Sequence, residues 1–183
     1  MEACEPSAAE KTFSALKSRK LPRWAELPDL DLYMDQVLSL IHRYLGPEES
    51  PDGKGLTSSM VNNYVKMHIM PPPEKKKYNR IHLAYLIAIC VLKASLPMAA
   101  VQDLLSRAMK EQDEAELYDE FCRLYEETGR QVLAQRSSEE GSSSMVILRA
   151  ALRAQTEQTL ARQLAPAEEP EKKDKKNHGQ GGK

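Results

Sequence analysis

Glycine, aromatic side chains and cysteine are all scarce in this sequence, and each scarcity excludes a class of structure. Only 8 glycines occur in 183 residues, with long stretches free of them, which points to helix rather than to strands joined by tight turns. Aromatic residues make up 5%, so the core has to be mainly aliphatic. The three cysteines, Cys4, Cys90 and Cys122, have no paired spacing; this argues against a disulfide framework and for a reducing compartment. Long hydrophobic runs are missing too. The most apolar segment, 83–92, is too short to span a bilayer and suits a buried helix. Glu2, Glu5 and Glu10 sit at an N-terminus that has no apolar stretch behind a basic patch, so it does not read as a secretory signal. The expectation is a cytoplasmic chain with no membrane partner. His42, His68, His82 and His178 show no metal-ligand spacing with the cysteines, and neither a metal nor another cofactor is expected.

Charge of both signs is plentiful but unevenly placed. The net charge of −1 conceals a basic block at 57–110, with eight Lys/Arg against two acids, joined to an acidic block at 111–171, with six Arg against fourteen acids. A basic run at 172–176, interrupted by Asp174, reads as a solubilising tail.

Hydrophobic periodicity and punctuation predict an all-α chain in four parts: a flexible lead-in over 1–20 with a weak helix near 9–17, a helical domain over 21–110, an acidic helical region over 111–164 and a disordered tail over 165–183. Asp29, Asp31 and Asp35 suit the positive end of a helix dipole, and Leu30, Met34, Val37, Leu38, Ile41 and Leu45 recur at intervals of three and four. They predict an amphipathic helix starting at Leu30 and stopped by Gly46 and Pro47, with a loop over 47–55. Thr57 or Ser58 caps a short helix over 58–67, with Met60, Val61 and Tyr64 inward and Ser59, Asn62, Asn63 and Lys66 outward. Pro71, Pro72 and Pro73 forbid its continuation, and a basic turn or small wing follows, with room for a short strand pair over 73–78. Asn79 caps a helix through Ile81, Tyr85, Ile89 and Leu92 that is apolar nearly all round and hence central. Leu96 and Pro97 open another, with Met98, Val101, Leu104 and Leu105 inward. An acidic helix over 113–135 carries Leu117, Phe121, Leu124, Tyr125, Thr128 and Val132 on one face. After the flexible link "SSEEGSSS", a last helix begins with Met145, Leu148 and Leu152, and its apolar stripe fades after Ala154.

The segment "MVNNYVKMHIMPPPEKKKYNR" (60–80) concentrates the chemistry: a short capped helix, a hard stop and a basic turn, backed by the most apolar helix. An Asn amide matches the donor and acceptor of adenine in the major groove, which makes Asn62 and Asn63 candidates for base contact. Ser59 shares their face, and Lys66, Lys75, Lys76, Lys77 and Arg80 would neutralise phosphates. The Asp29, Asp31 and Asp35 cluster has a sufficient electrostatic explanation at a helix start, and Trp24 reads as a packing anchor. No Gly-rich phosphate loop, nucleophile elbow, His-Glu metal motif or Cys-x-x-Cys occurs, so no catalytic residue is assigned and the chain is not expected to be an enzyme.

In its order of parts, "MVNNYVKMHIMPPPEKKKYNRIHLAYLIAICVLKASLPMAAVQDLL" resembles the MerR-type DNA-binding domain, a winged helix-turn-helix. Ile69-Met70-Pro71-Pro72 matches that family's apolar-apolar-Pro-Pro stop, Tyr64 its second tyrosine, Lys66 a basic position, and Tyr78-Asn79 the wing end and helix cap. Asn62 and Asn63 stand where that family has an arginine and a first tyrosine, His68 where it has a glycine, and the loop between the first two helices is longer. Together with "LPRWAELPDLDLYMDQ", the stretch also resembles an uncharacterised bacterial family, chiefly of Gram-positive bacteria, described as a domain of unknown function. The resemblance implies a MerR-like helix-turn-helix over 21–110 with additional C-terminal helices. The implied function is a DNA-binding transcriptional regulator that reads the major groove of duplex DNA with 58–67 and grips phosphates with 74–80, adding Tyr64 and Tyr78 to the candidate contacts. The C-terminal helices would form a homodimer. The alternative is a protein-interaction module that keeps the fold without DNA, docking a partner on the apolar stripe of the acidic helix; an inducer-binding sensor is a third possibility.

Overall fold

The computed structural model describes residues 20–46, 55–137 and 143–165. The weak helix near 9–17, most of the 47–55 loop, the centre of the Ser/Gly/Glu link and the tail beyond 165 lie outside the described residues. A single 3-10 turn, Trp24–Glu26, precedes six α-helices: α1 (Met34–Leu45), α2 (Ser58–Lys66), α3 (Arg80–Leu92), α4 (Met98–Glu111), α5 (Glu114–Ser137) and α6 (Ser143–Leu164). Among the described residues the extended pairing amounts to two isolated antiparallel bridges, Leu32 with Tyr78 and Glu74 with Lys77. The described residues are all-helical.

Local chemistry sets most of the helix ends. Thr57 Oγ1 accepts the Met60 N–H at 3.3 Å to open α2, and Asn79 Oδ1 accepts the His82 N–H at 3.4 Å to open α3. Pro97 precedes α4, and Asp113 Oδ1 accepts the Ala115 N–H at 2.9 Å at the start of α5. Gly46, at φ 73°, ends α1 with its N–H on the His42 carbonyl.

The start of α1 departs from the sequence expectation. The helix begins at Met34 rather than Leu30, with the Tyr33 N–H donating to Gln36 Oε1 at 2.9 Å. Leu32 is held extended because it exchanges two backbone hydrogen bonds with Tyr78, each 2.8 Å, so it cannot take the helical conformation that an interior residue of a helix begun at Leu30 would need. Asp29 and Asp31 therefore lie ahead of the helix, leaving Asp35 alone in its first turn. Leu30, expected to face inward, is 59% exposed, while Leu32 takes the buried place.

The core forms around α3. Leu83, Leu86, Ile87 and Ile89 are buried on this helix, whose apolar circumference needs cover on several sides. Cover comes from Val37 and Ile41 of α1, Val61 and Tyr64 of α2, Val101 of α4, Tyr118 and Cys122 of α5, and Leu21 and Leu27 of the lead-in. The core thus continues past residue 110 into the acidic helix. Arg23 ties the lead-in to α5, donating to the Asp119 carbonyl at 3.2 Å and pairing with Glu126 at 2.9 Å, and the Trp24 N–H reaches Asp119 Oδ1 at 2.7 Å.

The apolar residues expected to share one face of the acidic helix do share one, and Leu104 of α4, expected inward, joins them at an open surface. On α5 the fully covered side chains are Tyr118 and Cys122, whereas Leu117, Phe121, Leu124, Tyr125, Thr128 and Val132 line an open apolar groove of about 670 Å³ between α3, α4 and α5. Leu104 of α4 also lines this groove and is 43% exposed. No helix among the described residues is long and apolar enough to cross a membrane, and no group of three or more His, Cys, Asp or Glu is placed there to hold a metal ion.

Candidate nucleic-acid interface

α2 is nine residues long, and the alternation of its side chains is sharp. Ser59, Asn62, Asn63 and Lys66 are exposed, while Val61 and Tyr64 are buried. Tyr64, a candidate contact, is only 4% exposed and acts as support, its pKa pushed up to about 12 chiefly by burial and secondarily by Cys90. Between Thr57 and Pro73 there is no acidic residue, so nothing on the helix itself opposes an anion.

The end of α2 is a Schellman motif. The Ile69 N–H bonds to the Tyr64 carbonyl and the His68 N–H to the Val65 carbonyl, both at 3.0 Å, with His68 left-handed at φ 55°. Ile69 and Tyr64 are both buried, as the hydrophobic half of that motif requires. Gln102 of α4 donates from Nε2 to the Met67 carbonyl at 3.0 Å, so α4 also steadies this end. From here Ile69 and Met70 go into the core and the three prolines carry the chain to the basic turn.

That turn is a two-residue reversal. The Lys77 N–H bonds to the Glu74 carbonyl at 2.8 Å, and Lys75 and Lys76, the two central residues, stand at φ 48° and 64°. Positive φ at both central positions is the type I′ pattern, which favours Asn-Gly because a Cβ in the left-handed region meets the backbone. Lysine at both positions is therefore strained, and both side chains are exposed at the tip.

Behind the tip, basic groups turn inward. Lys77 is half-buried, with Nζ 3.8 Å from Asp31. Arg80 donates from Nε to the Leu27 carbonyl at 3.1 Å, pairs with Asp29 at 3.6 Å and lies over the Trp24 ring at 5.7 Å from its centre. Tyr78 is 3% exposed, and burial raises its pKa. Of the ten candidate residues, Ser59, Asn62, Asn63, Lys66, Lys75 and Lys76 are fully presented to solvent, Lys77 and Arg80 are engaged with the 29–31 segment, and Tyr64 and Tyr78 are covered. Asp29 and Asp31, two of the three acids expected at the α1 dipole, are in fact the partners of these two cations.

His82 braces the base of the turn. It is 5% exposed, its Nδ1 accepts the Asn79 N–H at 3.1 Å, and its ring meets Tyr78 edge-on at 5.4 Å. Burial lowers its pKa, opposed by the nearby Pro72 and Pro71 carbonyls. In the sequence His82 stands out only as a histidine without metal-ligand spacing; its place three residues after the capping Asn79 is the signal for its bracing role.

Comparison with curated proteins gives no match, and comparison with solved structures gives none. Residues 22–128, more than half of the chain and reaching into α5, match a family described as Domain of unknown function (DUF1836), and the chain belongs to that family.

Proposed function

We propose that this is a non-enzymatic DNA-binding protein, a transcriptional regulator of winged helix-turn-helix type, in which α1 and α2 form the helix pair and the 74–77 turn is the wing. The observation that carries this reading is the pair of lysines held at positive φ on an exposed tip, a short proline-stiffened step from a capped helix whose outward face is amide, hydroxyl and ammonium. Strain of that kind persists where a side chain's position matters more than local comfort. Asn62 and Asn63 supply bidentate amides for adenine edges, Ser59 a hydroxyl, and Lys66, Lys75 and Lys76 the phosphate contacts. Lys77 and Arg80 set the wing's angle through Asp31, Asp29 and Trp24. A single nine-residue reading helix has limited affinity, so two copies joined through the C-terminal helices would present two of them.

The test is binding of the full chain to labelled duplex DNA by fluorescence anisotropy over a salt series. Wild type is expected to bind at low salt with log K falling linearly in log salt, and Lys75→Ala with Lys76→Ala is expected to flatten that slope by roughly 2. Absence of low-salt binding in a folded protein overturns the reading. A second reading, a protein-interaction module without DNA, is favoured by the open apolar groove beside α5; its binding would be nearly indifferent to salt.

A further inference from the structure

We propose that α6 of one copy seats in the α3–α4–α5 groove of a second copy, each chain supplying one helix and one groove to a symmetric dimer. This specifies the dimer contact and stands on its own observations, independent of DNA.

Both halves of the contact are present on the same chain. The groove has walls of Tyr85, Leu105, Phe121, Leu124 and Val132, and none of its lining residues comes from α6. α6 in turn leaves Ile147, Leu152 and Leu164 exposed at 68%, 58% and 76%, with Met145, Leu148 and Leu160 about half exposed. A helix of 22 residues with so much apolar surface in water lacks the packed face that sustains helices of its kind.

The two surfaces match in length and in charge. At about 1.5 Å per residue α6 is roughly 33 Å long and α5, which forms one wall, roughly 36 Å. The groove lining includes Glu114, Glu120 and Glu126 and no basic residue, Glu120 and Glu126 being paired with Arg123 and Arg23, while α6 carries Arg149, Arg153 and Arg162 against Glu157 alone. Two α6 helices with this excess of arginine would repel each other, so the charge favours seating α6 in the acidic groove over helix-on-helix contact.

Within its own chain α6 does not take this place. A helix doubling straight back along α5 would set Gln135 opposite the first turn of α6. Instead Gln135 Oε1 accepts from Arg153, more than two turns further on, at 2.7 Å, and Gln158 donates to the Ser95 carbonyl at 3.3 Å. α6 thus crosses the end of the bundle at the α3–α4 turn and leaves the groove open, its apolar side chains available to another molecule. Reciprocal seating makes the contact isologous and closed, so it stops at two copies. A dimer interface of ordinary size needs roughly 800 Å² per partner, which one helix face plus one groove supplies to order of magnitude.

The experiment is light scattering after size exclusion on the full chain, with helicity followed by circular dichroism. Wild type is expected to be a dimer at tens of micromolar. Leu148→Asp with Leu152→Asp disables the helix, and Leu124→Asp with Val132→Asp disables the groove; all four side chains are 44% or more exposed in the single chain, so its own fold is left intact. Each double variant alone should be monomeric, its dissociation constant raised about a hundredfold or more. Mixing the two restores one intact helix and one intact groove, and a heterodimer should reappear. A monomeric wild type overturns the proposal. So does a mixture that stays monomeric while both variants are folded, because helix-on-helix or groove-on-groove pairing would give that result.

Discussion

Leu32 and Tyr78 exchange two backbone hydrogen bonds of 2.8 Å and bury both side chains, so the chain leaving the 74–77 turn is fastened to the segment in front of α1. The base of that turn is thereby part of the core, while Lys75 and Lys76 at its tip stay exposed. Tyr78→Ala should cost about 3–5 kcal/mol, the usual loss for removing a large buried aromatic. Urea unfolding would measure it; a loss below about 1 kcal/mol would mean that the wing base unfolds separately from the bundle.

Lys75 and Lys76 set stability against charge. Replacing them by the turn's preferred pair, Lys75→Asn with Lys76→Gly, should stabilise the protein by about 1 kcal/mol, after allowing for the extra freedom glycine gives the unfolded chain. The same change removes two cations, and DNA affinity at low salt should fall by tenfold or more. Paired denaturation and binding measurements separate the two effects. If stability rises and binding is unchanged, the tip lysines do not touch phosphate.

His68 is a simpler case. It stands at φ 55° in the Schellman turn, where glycine is preferred, and its side chain is exposed. His68→Gly should stabilise the protein by about 0.5–1 kcal/mol in thermal or urea unfolding. Destabilisation instead would show that the imidazole makes a contact worth more than the strain.

What could be read from the sequence was local. Thr57 and Asn79 cap because their side chains reach their own backbone, the three prolines stop α2 wherever they fall, and the circumference of α3 is apolar whatever packs on it. His68, which stands where the resembled family has a glycine and so makes a left-handed turn less comfortable, is left-handed all the same. What escaped depends on partners distant in the chain. Asp29 and Asp31 look like dipole acids until the Leu32–Tyr78 pairing places them beside Arg80 and Lys77. The burial of Tyr64 and Tyr78, which a family resemblance had put among the contacts, follows from the Ile69 turn and from that same pairing. On α5 the apolar surface is wider than the core needs, and periodicity alone could not tell the side chains the bundle buries, Tyr118 and Cys122, from those left exposed at the groove, Leu124 and Val132.

The buried imidazole beneath the 74–77 turn gives a pH dependence with a definite sign. Burial lowers the His82 pKa below its ordinary 6.5, so the unfolded chain takes up the proton first as pH falls. Stability from this group is complete above about pH 6.5 and declines as pH drops from there through the lowered folded value, where the native state must also charge a ring wedged between Tyr78, Asn79 and the proline segment. His82→Gln, which keeps a polar group for the Asn79 N–H but cannot titrate, should remove the part of the stability slope between pH 6.5 and 5 that comes from this group. Urea midpoints measured every half unit on both proteins decide it: parallel curves over that window would mean that the ring is accommodated in its charged form, and that the base of the wing is more open than its burial implies.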